Sequence, residues 1–116
     1  MKIAGLGELL RVFVGDTDQY HGQGIHEVIL LKARELGIAG VSIFKGIEGY
    51  GATSRIHTAK ILRLSENLPV VIEIVDTVER ITLIQKEIED IFEESSCGGL
   101  ITKEKVSIIK YVPGKS

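Results

Sequence analysis

Two apolar rhythms meet at Asp76 and restrict the folds open to this chain. Before it, Val70-Val71-Ile72-Glu73-Ile74-Val75 is a mostly β-branched run opened by Pro69, a residue tolerated at the first position of a strand. After it, Val78, Ile81, Ile84, Ile88, Ile91 and Phe92 recur at helical period, with acids on the opposite side. Asp76 and Glu79 have capping-box spacing with Asp76 as the cap. The passage predicts a strand feeding directly into a long helix, which Ser95 to Gly99 breaks.

The first half of the chain repeats that order. Glu8 to Gly15 predicts a strand, with Leu10, Val12 and Val14 on one side and Leu9, Arg11 and Phe13 on the other. Gly15-Asp16-Thr17-Asp18 supplies turn chemistry. Gln23 to Leu36 predicts a helix with Ile25, Val28, Ile29, Ala33 and Leu36 near one face and Gly37 as its stop. Ala39 to about Ile47 predicts the second strand. Residues 48–67 are polar and irregular apart from the run Ala59 to Leu64, which reads equally as a strand extension or a helical turn. Leu100 to Val112 predicts the last strand, interrupted near Lys103-Glu104-Lys105.

The order β-α-β, long loop, β-α-β predicts an α+β fold: a ferredoxin-like βαββαβ sandwich, an antiparallel four-stranded sheet with two helices on one face. At 116 residues one domain is expected over 1–116. The strands are apolar on both faces, however. Val71 and Val75 flank Glu73 on the side opposite Val70, Ile72 and Ile74, and the first strand behaves alike. A sheet with helices on one face only needs a second cover for the other, and another subunit is the simplest. An obligate oligomer is expected. Glu73 itself needs a partner if buried, and Lys45 or Arg11 across the sheet is the expected one.

Composition narrows the function. A net charge of −2 offers no global attraction to nucleic acid. No apolar stretch approaches the length that spans a bilayer, so no membrane insertion is expected. Cys97 is the only cysteine, which excludes an internal disulfide and a four-cysteine zinc site. It lies beside no Lys or His and reads as a small buried residue. A cytoplasmic protein fits. His21, His26 and His57 lack helical metal-pair spacing, so no metal is expected. Asp16 and Asp18 read as turn composition. With no G-x-S-x-G elbow and no Walker loop, nothing in the chain argues for an enzyme.

The chemistry-bearing stretch is Gly46-Ile47-Glu48-Gly49-Tyr50-Gly51, followed by Ala52-Thr53-Ser54-Arg55. Glycine permits close backbone approach to a ligand, and Arg55 offers a fork of donors to a phosphate. The same glycines also suit tight loop turns. Gly98 and Gly99 suit both a helix end and a ligand-facing backbone. Lys45 points either into a cleft or into water.

Gly37-Ile38-Ala39-Gly40, Lys45 to Gly51, Ser54-Arg55-Ile56-His57, Leu68 to Asp76 and Gly98-Gly99-Leu100-Ile101-Thr102 together resemble the PII-like signalling proteins. More narrowly, they resemble a small uncharacterised branch of that superfamily. The resemblance spans Arg11 to Ile109. It implies a ferredoxin-like homotrimer with its sheets packed inward. It also implies a site for an adenine nucleotide (ADP, AMP or ATP) in each cleft between subunits. Residues 46–58 and 97–102 match the two segments that meet there. The resemblance thus points to Lys45, Gly46, Gly49, Tyr50, Gly51, Arg55, Gly98, Gly99, Leu100 and Lys103 as nucleotide contacts, with Lys105 a second approximate basic counterpart. It further implies that ligand binding reshapes residues 48–66, which dock on a transporter or enzyme. Tyr50 lies at the start of that loop and not at its tip, and the family's tyrosine-bearing modification signature is absent. An oligomeric scaffold or a metal-ion-binding trimer on the same fold is the alternative.

Overall fold

The structure, a computed structural model, describes residues 3–51 and 67–115. In chain order its elements are β1 (Ile3–Gly15), the short strands β2 (Gln19–Tyr20) and β3 (Gln23–Gly24), α1 (Ile25–Glu35), β4 (Val41–Lys45), β5 (Pro69–Asp76), α2 (Val78–Ser95) and β6 (Leu100–Tyr111). The four long strands form one sheet in the order β4-β5-β1-β6, antiparallel throughout. This is the expected ferredoxin-like arrangement, with a small β2–β3 hairpin added after β1.

Side-chain alternation decides which face the helices cover. Leu10, Val12 and Val14 of β1 and Val70, Ile72 and Ile74 of β5 are buried on one face. Against them pack Ile25, Ile29 and Ala33 of α1 and Ile81, Ile84, Ile88 and Ile91 of α2. The fully buried cluster contains no aromatic ring, so branched aliphatic side chains fill it. Val78, expected on the inner face of α2, is 43% exposed at the helix start.

Element ends differ from expectation for identifiable reasons. Helix α1 starts at Ile25 because Gln23 and Gly24 pair with Tyr20 and Gln19. Its end is as predicted: Gly37 takes φ 74°, the Gly37 N–H donates to Arg34 O, and the Ile38 N–H donates to Ala33 O. That pair of bonds is a Schellman closure. Strand β6 is continuous where an interruption is expected at residues 103–105. Glu104 and Lys103 pair directly with Leu9 and Leu10, and both charges find partners across the sheet or on α2.

The cap of α2 is Thr77, not Asp76. The Thr77 hydroxyl accepts from the Arg80 N–H. Asp76 ends β5 fully buried, where Oδ1 accepts the Thr77 N–H at 2.7 Å and Oδ2 accepts the Ala39 N–H at 2.8 Å. At the other end Ser96, with φ 60°, takes the left-handed position expected of a glycine.

The face opposite the helices is apolar in rows. Phe44, Val71, Phe13 and Leu100 stand side by side across all four strands, and Val75 and Leu9 form a second row. Between them stand Arg11 and Glu73, and Arg11 also reaches Glu104, which is opposite Leu9 in the second row. Arg11 Nε donates to Glu73 Oε2 at 2.9 Å and Nη1 to Glu104 Oε1 at 2.8 Å. The expected cross-sheet partner of Glu73 is therefore Arg11. These bonds, with Glu73 first, push the guanidinium pKa above its ordinary value.

Candidate functional site

Strand register gathers the two glycine segments at one end of the sheet. Lys45 pairs with Val70, Gly15 with Pro69 and Phe13 with Leu100. The exits of β4 and β1 and the entries of β5 and β6 therefore share that end. Gly46 to Gly51 leave from the β4 corner, and Gly98-Gly99 lead into the β6 corner. Strands β5 and β1 lie between, so the corners are about 14 Å apart, three interstrand spacings. The Phe44–Val71–Phe13–Leu100 row crosses the open face from one corner to the other.

Packing already accounts for three of the glycines. The Gly46 N–H donates to Pro69 O at 2.7 Å, and a Cβ at Gly46 would stand 2.8 Å from Pro69 Cγ. Gly49 has φ 141° and lies on the same proline ring. A Cβ at Gly99 would stand 2.5 Å from Phe92 Cζ and 2.9 Å from Phe13 O. Gly51 faces open space, while Ile47 and Tyr50 are 94% and 69% exposed. Gly98 is partly buried, and Leu100 is exposed on the open face. Arg55 and the run Ala59 to Leu64 lie outside the described residues.

The two lysines have different surroundings. Lys45 Nζ sits 2.9 Å from Asp16 Oδ2. Asp16 Oδ1 accepts the Leu68 N–H at 3.0 Å, and the Asp16 N–H donates to Leu68 O at 2.8 Å. Alongside, Asn67 Nδ2 donates to Asp18 Oδ1, the Thr17 N–H donates to Asn67 Oδ1, and the Gly15 N–H donates to Asp18 Oδ2. The turn after β1 thus clamps the entry to β5. Turn composition explains Asp16 and Asp18 locally, but their tie to residues 67–68 and to Lys45 has no sequence signal, since the partners are remote in the chain. Lys103, opposite Leu10, lies on the same helix-covered face as Lys45, which is opposite Val70, but has other partners. Its Nζ donates to Gln85 Oε1 at 2.9 Å and stands 3.8 Å from Glu8 Oε1.

A groove of about 350 Å³ lies between α1 and α2, with Glu35, Glu87, Asp90 and Glu94 on its walls and Lys32 among them. Lys32 Nζ is 3.6 Å from both Glu35 and Glu87. The Tyr20 hydroxyl donates to Glu94 Oε1 at 3.0 Å, which raises the phenol pKa. Cys97 is partly buried, its thiol 3.7 Å from Gln19 O. Among the described residues no cluster of three or more His, Cys, Asp or Glu is placed to hold a metal ion. Among them, too, no helix is long and apolar enough to cross a membrane.

Comparison with known proteins agrees with the architecture. Residues 7–108 match the DUF190 family, described as Uncharacterized ACR, COG1993. The chain is 36% identical over 102 residues to a UPF0166 protein of Aquifex aeolicus (strain VF5), covering 88% of this chain and 92% of the relative. It is 31% identical over 88 residues to a UPF0166 protein of Methanocaldococcus jannaschii, covering 76% and 81%. Among solved structures it superposes on a PII-like signalling protein from Thermus thermophilus with TM-score 0.65 at 14% identity, over 90% of this chain and 91% of the other. It superposes on CPII, a nitrogen regulatory PII-like protein from Thiomonas intermedia K12 bound to ADP, AMP and bicarbonate, with TM-score 0.65 at 11% identity, over 93% and 91%. At these identities the likeness is one of fold. The expected resemblance, an uncharacterised branch with PII-like architecture, is borne out.

Proposed function

We propose that this chain, which belongs to the DUF190 family, is a cytoplasmic, non-enzymatic regulatory protein that binds an adenine nucleotide between the subunits of a homotrimer. The observation that carries the reading is the shared fold with CPII, whose structure holds ADP and AMP. The geometry supports it. In one chain the glycine segments at residues 46–51 and 98–99 stand at opposite corners of the sheet, too far apart to close on one phosphate group. A second subunit packed on the apolar open face would bring one chain's β4 corner to its neighbour's β6 corner. Lys45 and Tyr50 would then meet the nucleotide from one side, and the backbone of Gly98-Gly99 with Leu100 from the other. Arg55 belongs to the first group by sequence. Lys103, committed to Gln85 and Glu8, contributes only by leaving them. Binding would reshape residues 48–66 and so change which transporter or enzyme docks.

Calorimetry with AMP, ADP and ATP tests the proposal directly. Saturable binding at one site per subunit is the expected result. Absence of heat for all three at millimolar concentration would sink it.

A further inference from the structure

We propose that Asp16 acts as an internal anion, occupying Lys45 when no ligand is bound and competing with the ligand's phosphates for it. The inference rests on the nucleotide reading above, which sets Lys45 against those phosphates. Lys45 is the last residue of β4, at the β4 corner of the sheet. Asp16 lies in the turn after β1 and reaches it at 2.9 Å.

The pair is asymmetric. The Asp16 side chain is only 16% exposed and that of Lys45 59%. Asp16 is anchored on both its backbone N–H and Oδ1, each bonded to Leu68, while among these contacts Lys45 holds only Oδ2. When the pair opens, the lysine therefore moves and the carboxylate stays. A fixed carboxylate beside a mobile ammonium is a built-in stand-in for an anionic ligand. The lysine end of the contact is open to solvent, so its cost to a competing ligand is modest: about two- to five-fold in affinity. A nucleotide phosphate carries more charge and more acceptor oxygens than the carboxylate, so it wins the ammonium when present.

Asp16 thus does two separable jobs. Oδ1 holds the entry of β5 through Leu68, and Oδ2 sets the free charge of Lys45. Asp16→Asn keeps an acceptor for the Leu68 amide and removes the charge. The test is ADP calorimetry at fixed ionic strength on the wild type, D16N, K45Q and the double variant. D16N should tighten ADP about two- to five-fold, K45Q should weaken it, and D16N should bring no gain on the K45Q background.

Unchanged or weaker binding in D16N overturns the inference. So does an equal gain with Lys45 removed, which would mean only a change in the general field. If wild type binds ADP and D16N matches it, Asp16 alone loses its role. If neither binds at millimolar concentration, the nucleotide reading falls and takes this role with it. Should D16N fail to fold, the wild type carries the test through the Lys45 side-chain nitrogen resonance. That signal should shift on saturation with ADP while the Leu68 amide stays protected from exchange, and an unmoved signal in saturated protein overturns the inference.

Discussion

Asp76 shows how much a single carboxylate can hold in this molecule. It is fully buried, and it satisfies two backbone amides that no strand or helix bond reaches. One is Ala39, just ahead of β4, and the other is Thr77, the cap of α2. Arg80 Nη1 stands 3.5 Å away and offsets part of the charge. Asp76→Ala leaves those donors without an acceptor in a dry place, and a loss of about 2–4 kcal/mol is expected. Asp76→Asn keeps one acceptor and should lose less. Urea unfolding of the two variants checks the order, and equal loss in both would deny the dual bond. Tyr20 offers a test by pH. Its phenol is neutral when it donates to Glu94, and that bond raises its pKa above the ordinary value of about 10. The folded-state value is the higher one, so the contribution to stability is present below pH 10 and fades as pH rises through the folded value. Tyrosinate absorbance should show Glu94→Ala ionising one tyrosine at lower pH than in the wild type. Superimposable titrations would remove the bond from the account.

At the scale of elements, the junction of α2 with β6 depends on the absence of one methyl group. A Cβ at Gly99 would collide with the Phe92 ring and the Phe13 carbonyl. Gly99→Ala should therefore destabilise by about 1–3 kcal/mol, and Phe92→Leu, which removes the obstructing ring, should recover part of that loss. Thermal denaturation of the single and double variants reads the coupling, and additive losses would mean that the strain lies elsewhere. None of this is visible in the sequence, where Gly98-Gly99 resembles a helix stop while Ser96 takes the left-handed turn. The elements themselves were legible. Period 2 in Leu10, Val12 and Val14 and period 3.6 in Ile81, Ile84, Ile88 and Ile91 are local properties, and burial follows them. What escaped depended on distant partners. Lys103 and Glu104 look like a break in β6 until Gln85 and Arg11 take up their charges. Asp76 and Thr77 both have cap chemistry, and the choice is made by the pairing of Glu8 with Asp76 and by the Ala39 amide. Of the candidate site, the glycines and Lys45 could be named, but not the proline, phenylalanine and aspartate that they contact.

For the whole molecule the open face of the sheet is the deciding surface. An antiparallel sheet that meets water on one side alternates apolar and polar residues. Here the solvent side carries Phe44, Val71, Phe13 and Leu100 in one row and Leu9 and Val75 in another, with Phe44, Leu100 and Val75 each more than 40% exposed in the single chain. The proposed trimer would cover those rows. It would also cover the Arg11–Glu73 pair between them and its bond to Glu104 beside Leu9, and there the two states make opposite demands. On an open face the ion pairs are screened, and losing Arg11 matters little. Under a neighbouring subunit the same loss leaves two carboxylates desolvated and unpaired, which is a severe penalty. Val71→Lys with Leu100→Lys should give a folded monomer, since neither side chain belongs to the buried cluster between sheet and helices. Arg11→Ala should weaken assembly strongly in the wild-type background yet scarcely change the unfolding midpoint of that lysine double variant. Light scattering behind gel filtration, with denaturant unfolding of both backgrounds, separates the cases. If Arg11→Ala has the same small effect in both, the face is open to solvent. The inter-subunit cleft, and with it the nucleotide site proposed for its corners, would then be lost.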